Sequence, residues 1–405
     1  MTSAIIITLC TLLLLSYVFD VTASKTKLPS VLLLLILGWG IRQVVEIKLI
    51  GIPDLSPVLP LLGTIGLILI VLEGSLELEF STSRFHLIMK SSAVAALSVV
   101  ILSLIMAAAF HSFSHMSFRS CVINALPLAI ISSAIAIPSA RHFPIEKREF
   151  VTYESSLSDI IGVLLFNFFI YNTTFGLGAV GIFFIQIIFI VLLSLMVTVG
   201  LLLLLRQLKH HIKYTPIVLL IILVYVVSKE LHFPALLFIL SLGLFLANFD
   251  KLSHIRYIEK LQPEILKHEV RRFKEITVEM TFLIRSLFFL LFGFMIDAEK
   301  LINISSLLWA LGIIMVIYSI RLILLRTFTI TPVPLVFMAP RGLITILLFL
   351  SIPQEHALPL VNESLIIQVI VFTAFLMILG MLGNNSKYPS ERKNRLSILR
   401  KPANE

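Results

Sequence analysis

The stretch Tyr153-Glu154-Ser155-Ser156-Leu157-Ser158-Asp159-Ile160-Ile161-Gly162 decides the fold, because it sets two carboxylates inside a run built to cross a bilayer. That run covers 150–173, and roughly 20 residues of helix span the hydrocarbon core. Asp159 falls about nine or ten residues in, near the bilayer centre. An ionisable group at that depth is costly, so it demands a partner or a function. Ser155 and Asp159 stand at i and i+4 and share a helix face. The face offers only oxygen, which suits a hard alkali cation. Glu154 lies about 140° round the axis from Asp159 and meets a different neighbour.

Outward from this stretch, the whole chain is equally apolar. Of 405 residues, 58% are hydrophobic and 14% charged, with a mean hydropathy of +1.04. Soluble domains carry about 25% charge, so this is an integral membrane protein, and disordered, collagenous and disulfide-rich secreted classes are excluded. About thirteen spans follow, near 3–20, 28–45, 57–77, 88–111, 119–140, 150–173, 178–205, 213–228, 232–249, 279–297, 301–325, 331–352 and 364–383. The expected fold is an all-α polytopic membrane protein of about 13 transmembrane helices. The first span ends in Val21-Thr22-Ala23-Ser24, as a signal peptide does, but no Lys or Arg precedes it. It is therefore expected to be a retained helix. Cys10 and Cys121 lie in apolar runs and offer neither a disulfide framework nor a zinc site.

The chain holds 32 Lys and Arg against 23 Asp and Glu, a formal charge of +9. The basic residues collect in alternate loops: Arg141-Lys147-Arg148, Arg206-Lys209-Lys213, Lys251 to Lys274, and Lys387 to Lys401. With the N-terminus outside and the C-terminus cytoplasmic, all of these fall inside, as the positive-inside rule requires. The surplus is topology, and nucleic acid drops out as a partner. Between Asp250 and Glu279, Ile255, Ile258, Leu261, Ile265 and Val270 recur at helical spacing among charges. They predict an amphipathic cytoplasmic connector at 250–279 that links two halves. The transmembrane domain is expected over 1–385, and 386–405 is a basic cytoplasmic tail.

Met338-Ala339-Pro340-Arg341-Gly342-Leu343 lies midway along the twelfth span. Pro340 removes a backbone donor and Gly342 relaxes the backbone, so the helix is expected to break there. Membrane depth permits such a break only inside protein or beside a cavity. Arg341 has no local counter-charge, and an Arg341–Glu154 ion pair is expected to brace the two spans. In the fifth span, Ser132 and Ser133 precede Pro138. They either unwind a turn and offer carbonyls to an ion or bond back to the preceding turn. Glu73 reads either as an ion ligand or as an interfacial charge; Glu77 and Glu79 read as interfacial. Arg285 either balances a core carboxylate or, as expected, snorkels to the inner surface. His111, His115, His142, His210, His211 and His232 lack ligand spacing, so neither a resident metal nor a cofactor is expected. No phosphate-binding glycine loop, nucleophile elbow or zincin pair occurs, which leaves a secondary transporter or a channel rather than a pump or an enzyme.

Four stretches, in order, resemble the monovalent cation/proton antiporter superfamily, closest to its sodium/proton exchanger branch. Glu154-Ser155-Ser156-Leu157-Ser158-Asp159 is similar to the branch's E-S-x-x-N-D segment, and Pro340-Arg341-Gly342 to its arginine-glycine motif. The run from Phe288 to Asp297 resembles its phenylalanine-rich stretch ending G-x-x-I-D, and Leu72-Glu73-Gly74 its G-L-E-type segment. The resemblance implies two inverted six-helix repeats, about 1–174 and 213–385, joined by a linker helix at 178–206. It implies that the fifth and twelfth spans are broken and cross at the ion site, and that a homodimer forms, each core bundle sliding against a dimerisation domain. Asp159 would bind either cation or proton, with Ser155 and Glu73 as accessory ligands and Ser132, Ser133 and Ser158 beside them. Glu154 would pair with Arg341. Two residues depart from the pattern: Thr-Asp-Pro reads Ser132-Ser133-Ala134, and Ser158 replaces the residue before the key aspartate. With no second carboxylate beside Asp159, exchange of one cation for one proton without net charge is favoured.

The expected function is secondary active exchange of Na+, or K+ or Li+, for H+ in a bacterial inner membrane. Coupling follows because a bare anion is costly to carry through lipid, whereas a carboxyl loaded with a proton or a cation is not. Rival readings are an ion channel, a small organic anion transporter of similar fold, and a non-transporting sensor.

Overall fold

In lipid the backbone must satisfy its own hydrogen bonds, so long runs of Leu, Ile, Val and Phe fold as helices. The computed structural model describes residues 2–26, 30–47, 58–78, 85–172, 177–207, 214–231, 233, 235–249, 263–296 and 303–383. Its helices are α1 (Thr2–Thr26), α2 (Ser30–Ile47), α3 (Val58–Glu77), α4 (Phe85–Phe113), α5 (Phe118–Ala129), α6 (Ser133–Ser139) and α7 (Ile145–Tyr171). They continue as α8 (Leu177–Gln207), α9 (Tyr214–Glu230), α10 (Ala235–Ala247), α11 (Pro263–Met295), α12 (Ile304–Thr327), α13 (Leu343–Leu350) and α14 (Glu363–Gly383). They fall on the expected spans one for one, except that α5 and α6 share the fifth. Among the described residues, eight stretches are long and apolar enough to cross a bilayer, α5 and α6 together making one of them, and shorter apolar segments lie in α1, α2 and α10. No strand occurs among the described residues.

Local chemistry sets several ends. Asn303 caps α12, its side-chain oxygen accepting from the N–H groups of Ser305 at 3.1 Å and Ser306 at 3.2 Å. Capping satisfies donors that the first turn leaves orphaned. Pro263 opens α11, where its missing N–H costs nothing. From there α11 runs unbroken to Met295. The expected boundary at Glu279 between connector and tenth span is therefore absent: no Gly or Pro lies between Glu264 and Phe292, so nothing stops the helix. The connector's first part, 250–262, lies outside the described residues, as do Glu79, Asp297 and the tail.

Two groups of helices pack together. In one, α2 lies along α11, α3 packs on α10 and α11, and α8 and α9 flank α10. Gly38 and Gly293 bring α2 and α11 together; a Cβ at either would overlap the facing backbone at Leu290 or Leu35. Small residues at such crossings let membrane helices approach closely. In the other group, α4 packs on α5, α7 and α12, α12 on α14, and α6 and α13 sit against α7 and α5. The groups meet where α3 touches α6, α7 and α13, and where α10 touches α7. That seam holds the site.

Candidate functional site

The fifth span breaks between Ala129 and Ser133, and residues 130–132 are extended, Ile130 at φ −80°, ψ 132° and Ser132 at φ −75°, ψ 113°. The twelfth is interrupted more widely: a short turn at Leu335–Phe337, extended chain through Gly342, then α13. The two interruptions cross, with Ser132 N–H donating to Pro340 O at 2.9 Å. The approach is close at 342, where a Cβ would lie 2.6 Å from Ser132 Oγ.

A broken helix leaves carbonyls without partners, and buried carbonyls must be satisfied. Arg341 meets this need. Its Nε donates to Leu128 O at 2.7 Å and its Nη2 to Ala129 O at 3.2 Å, both at the C-terminus of α5, while Nη1 donates to Ala339 O at 2.9 Å. The charge lies at the negative end of the α5 dipole. The expected Arg341–Glu154 ion pair is therefore not formed. Glu154 instead pairs with Arg321 of α12, Nη1 to Oε1 at 2.6 Å and Nη2 to Oε2 at 2.8 Å, and Arg321 Nε donates to Leu335 O at 2.8 Å. Both partners are buried. The physical reason is that the carbonyls of the break compete for Arg341, and Glu154 faces α12. Arg321 is a functional residue that the sequence reading does not name. The signal that identifies it is a charge well inside a helix that runs on to Thr327.

Asp159 is 1% exposed, on α7 at the crossing. Its Oδ2 accepts from Ser133 N–H at 3.2 Å, and its Oδ1 has no hydrogen-bond partner among the described residues. Ser158 Oγ accepts from Ile131 N–H at 3.0 Å, so it tethers the extended segment to α7. Ser155 Oγ donates to Val151 O at 2.7 Å. The structure thus brings Asp159, Ser132, Ser133 and Ser158 to the crossing, and Ser155 lies one turn below Asp159.

Glu73 is half-buried on α3, in the wall of a cavity of about 370 Å³ that also touches Ser133, Ala134, Ile137 and Arg285. Ser133 thus links the two carboxylates, lining the cavity with Glu73 and donating its N–H to Asp159. Arg285 is 7% exposed and supplies a counter-charge to Glu73. The expected snorkelling is not seen, because the carboxylate beside the cavity holds it inside. Towards the surface the cavity is lined by Arg141 and Arg148, both exposed. In the phenylalanine-rich stretch, Phe288 and Phe289 are buried in the core of α11.

Residues 9–382 match the family described as sodium/hydrogen exchanger, transmembrane. Two solved structures share the fold. One is of MjNhaP1, a sodium proton antiporter from Methanocaldococcus jannaschii, at pH 8: TM-score 0.65, 17% identity, covering 94% of this chain and 96% of that chain. The other is an electron-microscopy map of the same protein: TM-score 0.66, 17% identity, covering 100% and 99%. No protein of curated function is detectably similar in sequence.

Proposed function

This chain belongs to the sodium/hydrogen exchanger family, and on that premise we propose that it exchanges a monovalent cation for H+ across the membrane. Na+ is the first candidate, K+ and Li+ the others. One observation carries the reading: a buried carboxylate, Asp159, has one oxygen without a hydrogen-bond partner among the described residues and lies at a crossing of broken helices, held by the N–H of Ser133 in a cavity wall. Such a group takes either a proton or a cation, because an uncompensated charge cannot cross a low-dielectric barrier cheaply. Ser155, Glu73, Ser132, Ser133 and Ser158 are its accessory neighbours.

The proposed cycle is electroneutral, since Asp159 has no companion carboxylate in the fifth span or at 158. Alternating access is assigned to sliding of the group α4–α7 with α12–α14 against the group α1–α3 with α8–α11. The two six-helix repeats, a homodimer, an external N-terminus, a cytoplasmic C-terminus and a bacterial inner membrane belong to the same proposal.

The test is flux in proteoliposomes. Sodium added outside should drive protons out of vesicles holding the wild-type chain, with the apparent KM for sodium rising as pH falls. Asp159→Asn should abolish this movement while the protein stays folded by size-exclusion chromatography. Full exchange in that variant refutes the assignment of Asp159. A steady voltage-driven current through the wild type supports the channel reading instead.

A further inference from the structure

Serines in apolar helices usually donate to a carbonyl three or four residues back. Ser91, Ser92, Ser103, Ser112, Ser139 and Ser194 all do so here. Ser155 does the same, donating to Val151 O at 2.7 Å. Ser156 breaks the rule. It is 6% exposed, and its Oγ has no hydrogen-bond partner among the described residues. The carbonyl of Thr152 stands at the usual position for it, yet the hydroxyl that reaches it is that of Ser155, at 3.5 Å.

The other unpartnered oxygen on α7 is Asp159 Oδ1. Ser156 and Asp159 are i and i+3, neighbours on one helix face. Ser156 Oγ points at Gly74 of α3, where a Cβ would sit 3.4 Å from it. Gly74 lines the cavity that also holds its neighbour Glu73. Two buried oxygens less than a turn apart on α7 are thus without a hydrogen-bond partner among the described residues, and the hydroxyl stands over a residue of α3 that has no side chain. Hard alkali cations are held by such oxygens.

We propose that Ser156 Oγ is a ligand to the transported cation, sharing it with Asp159 Oδ1 in the space that Gly74 leaves open. This rests on the exchange reading above and adds a specificity-determining residue to it.

The experiment measures exchange of Na+, Li+ and K+ in turn, in proteoliposomes at fixed pH, for the wild type, Ser156→Ala, Ser156→Thr and Gly74→Ala. Ser156→Ala should raise the sodium KM about tenfold, with a smaller change in kcat and an altered order among the three ions, on the scale of one lost charged-group contact. Ser156→Thr keeps the hydroxyl and should recover most of the affinity. Gly74→Ala adds a methyl at ordinary contact distance, so it should fold but crowd the ion and raise KM while Ser156 is intact. Unfolding midpoints without sodium separate binding from folding. Wild-type KM and ion order in folded Ser156→Ala and Gly74→Ala overturn the proposal, as does a threonine variant as impaired as the alanine one. A wild-type chain that moves protons against none of the three ions defeats the exchange reading itself, and this inference with it.

Discussion

Glu154 and Arg321 form a buried bidentate pair with both side chains almost wholly removed from solvent. Breaking one side of such a pair costs about 3–5 kcal/mol, because the surviving charge is left unpaired, whereas replacing both by apolar groups is often neutral. Arg321→Met should therefore destabilise the detergent-solubilised protein by about 3–5 kcal/mol, and Glu154→Met with Arg321→Met should recover most of that loss. Chemical unfolding of the two singles and the double gives the coupling. Equal losses in single and double variants would show that the pair is not a unit. The residue types at this centre were legible in the sequence, since Glu154, Asp159 and Arg341 are intramembrane charges that no lipid-facing helix tolerates. Their partners were not. Which arginine meets Glu154 depends on the rotation of α12 and on how many carbonyls the break in α5 leaves for Arg341. Neither quantity is written in residue spacing. Ser156 was passed over for the same reason: its missing partner is visible only once its neighbours are placed.

At the scale of elements, the paired breaks are the determining feature; the twelfth span's was readable from local chemistry, whereas the serines of the fifth span left unwinding and back-bonding open. Ser132-Ser133 with Pro138, and Pro340 with Gly342, are backbone signals that act within a turn. The limit between the connector and the tenth span was not readable, because it was inferred from a change in polarity while α11 needs only the absence of a breaker. The closeness of the crossing makes a sharp prediction. A Cβ at 342 would fall 2.6 Å from Ser132 Oγ and 2.9 Å from Ile135 Cδ1. Gly342→Ala should push the two segments apart, costing about 1–3 kcal/mol as overpacking does and depressing exchange strongly. Gly40 is the matched control, with nothing within 4 Å of an added Cβ. Gly40→Ala should be neutral or stabilising by up to about 1 kcal/mol, alanine being the better helix former. Unfolding and flux measured on both variants decide whether the crossing or the mere loss of glycine matters.

For the molecule as a whole, the cavity marks one face of the proposed transport path. It runs from exposed Arg141 and Arg148 to Ser133, whose N–H holds Asp159. Basic residues gather on the cytoplasmic side of membrane proteins, so under the proposed orientation this cavity opens inward. Near the other end of the fifth span, Asn124, buried under the loop after α13, bonds His356 O at 2.7 Å and Leu358 N–H at 3.3 Å and ties that loop down. Ile137 lines the cavity without taking part in the hydrogen bonds at Asp159, which makes it a usable reporter. With Cys10 and Cys121 replaced by serine, Ile137→Cys should react with a charged, membrane-impermeant thiol reagent in inside-out vesicles. In sealed right-side-out vesicles it should stay unlabelled. Conditions that load the carrier and let it cycle should slow the inside reaction, because a sliding core would carry residue 137 away from the inner mouth for part of each turnover. Labelling from the outside alone reverses the assigned orientation. Labelling at a rate indifferent to sodium and pH gradients removes the moving core, and a fixed pore becomes the better description.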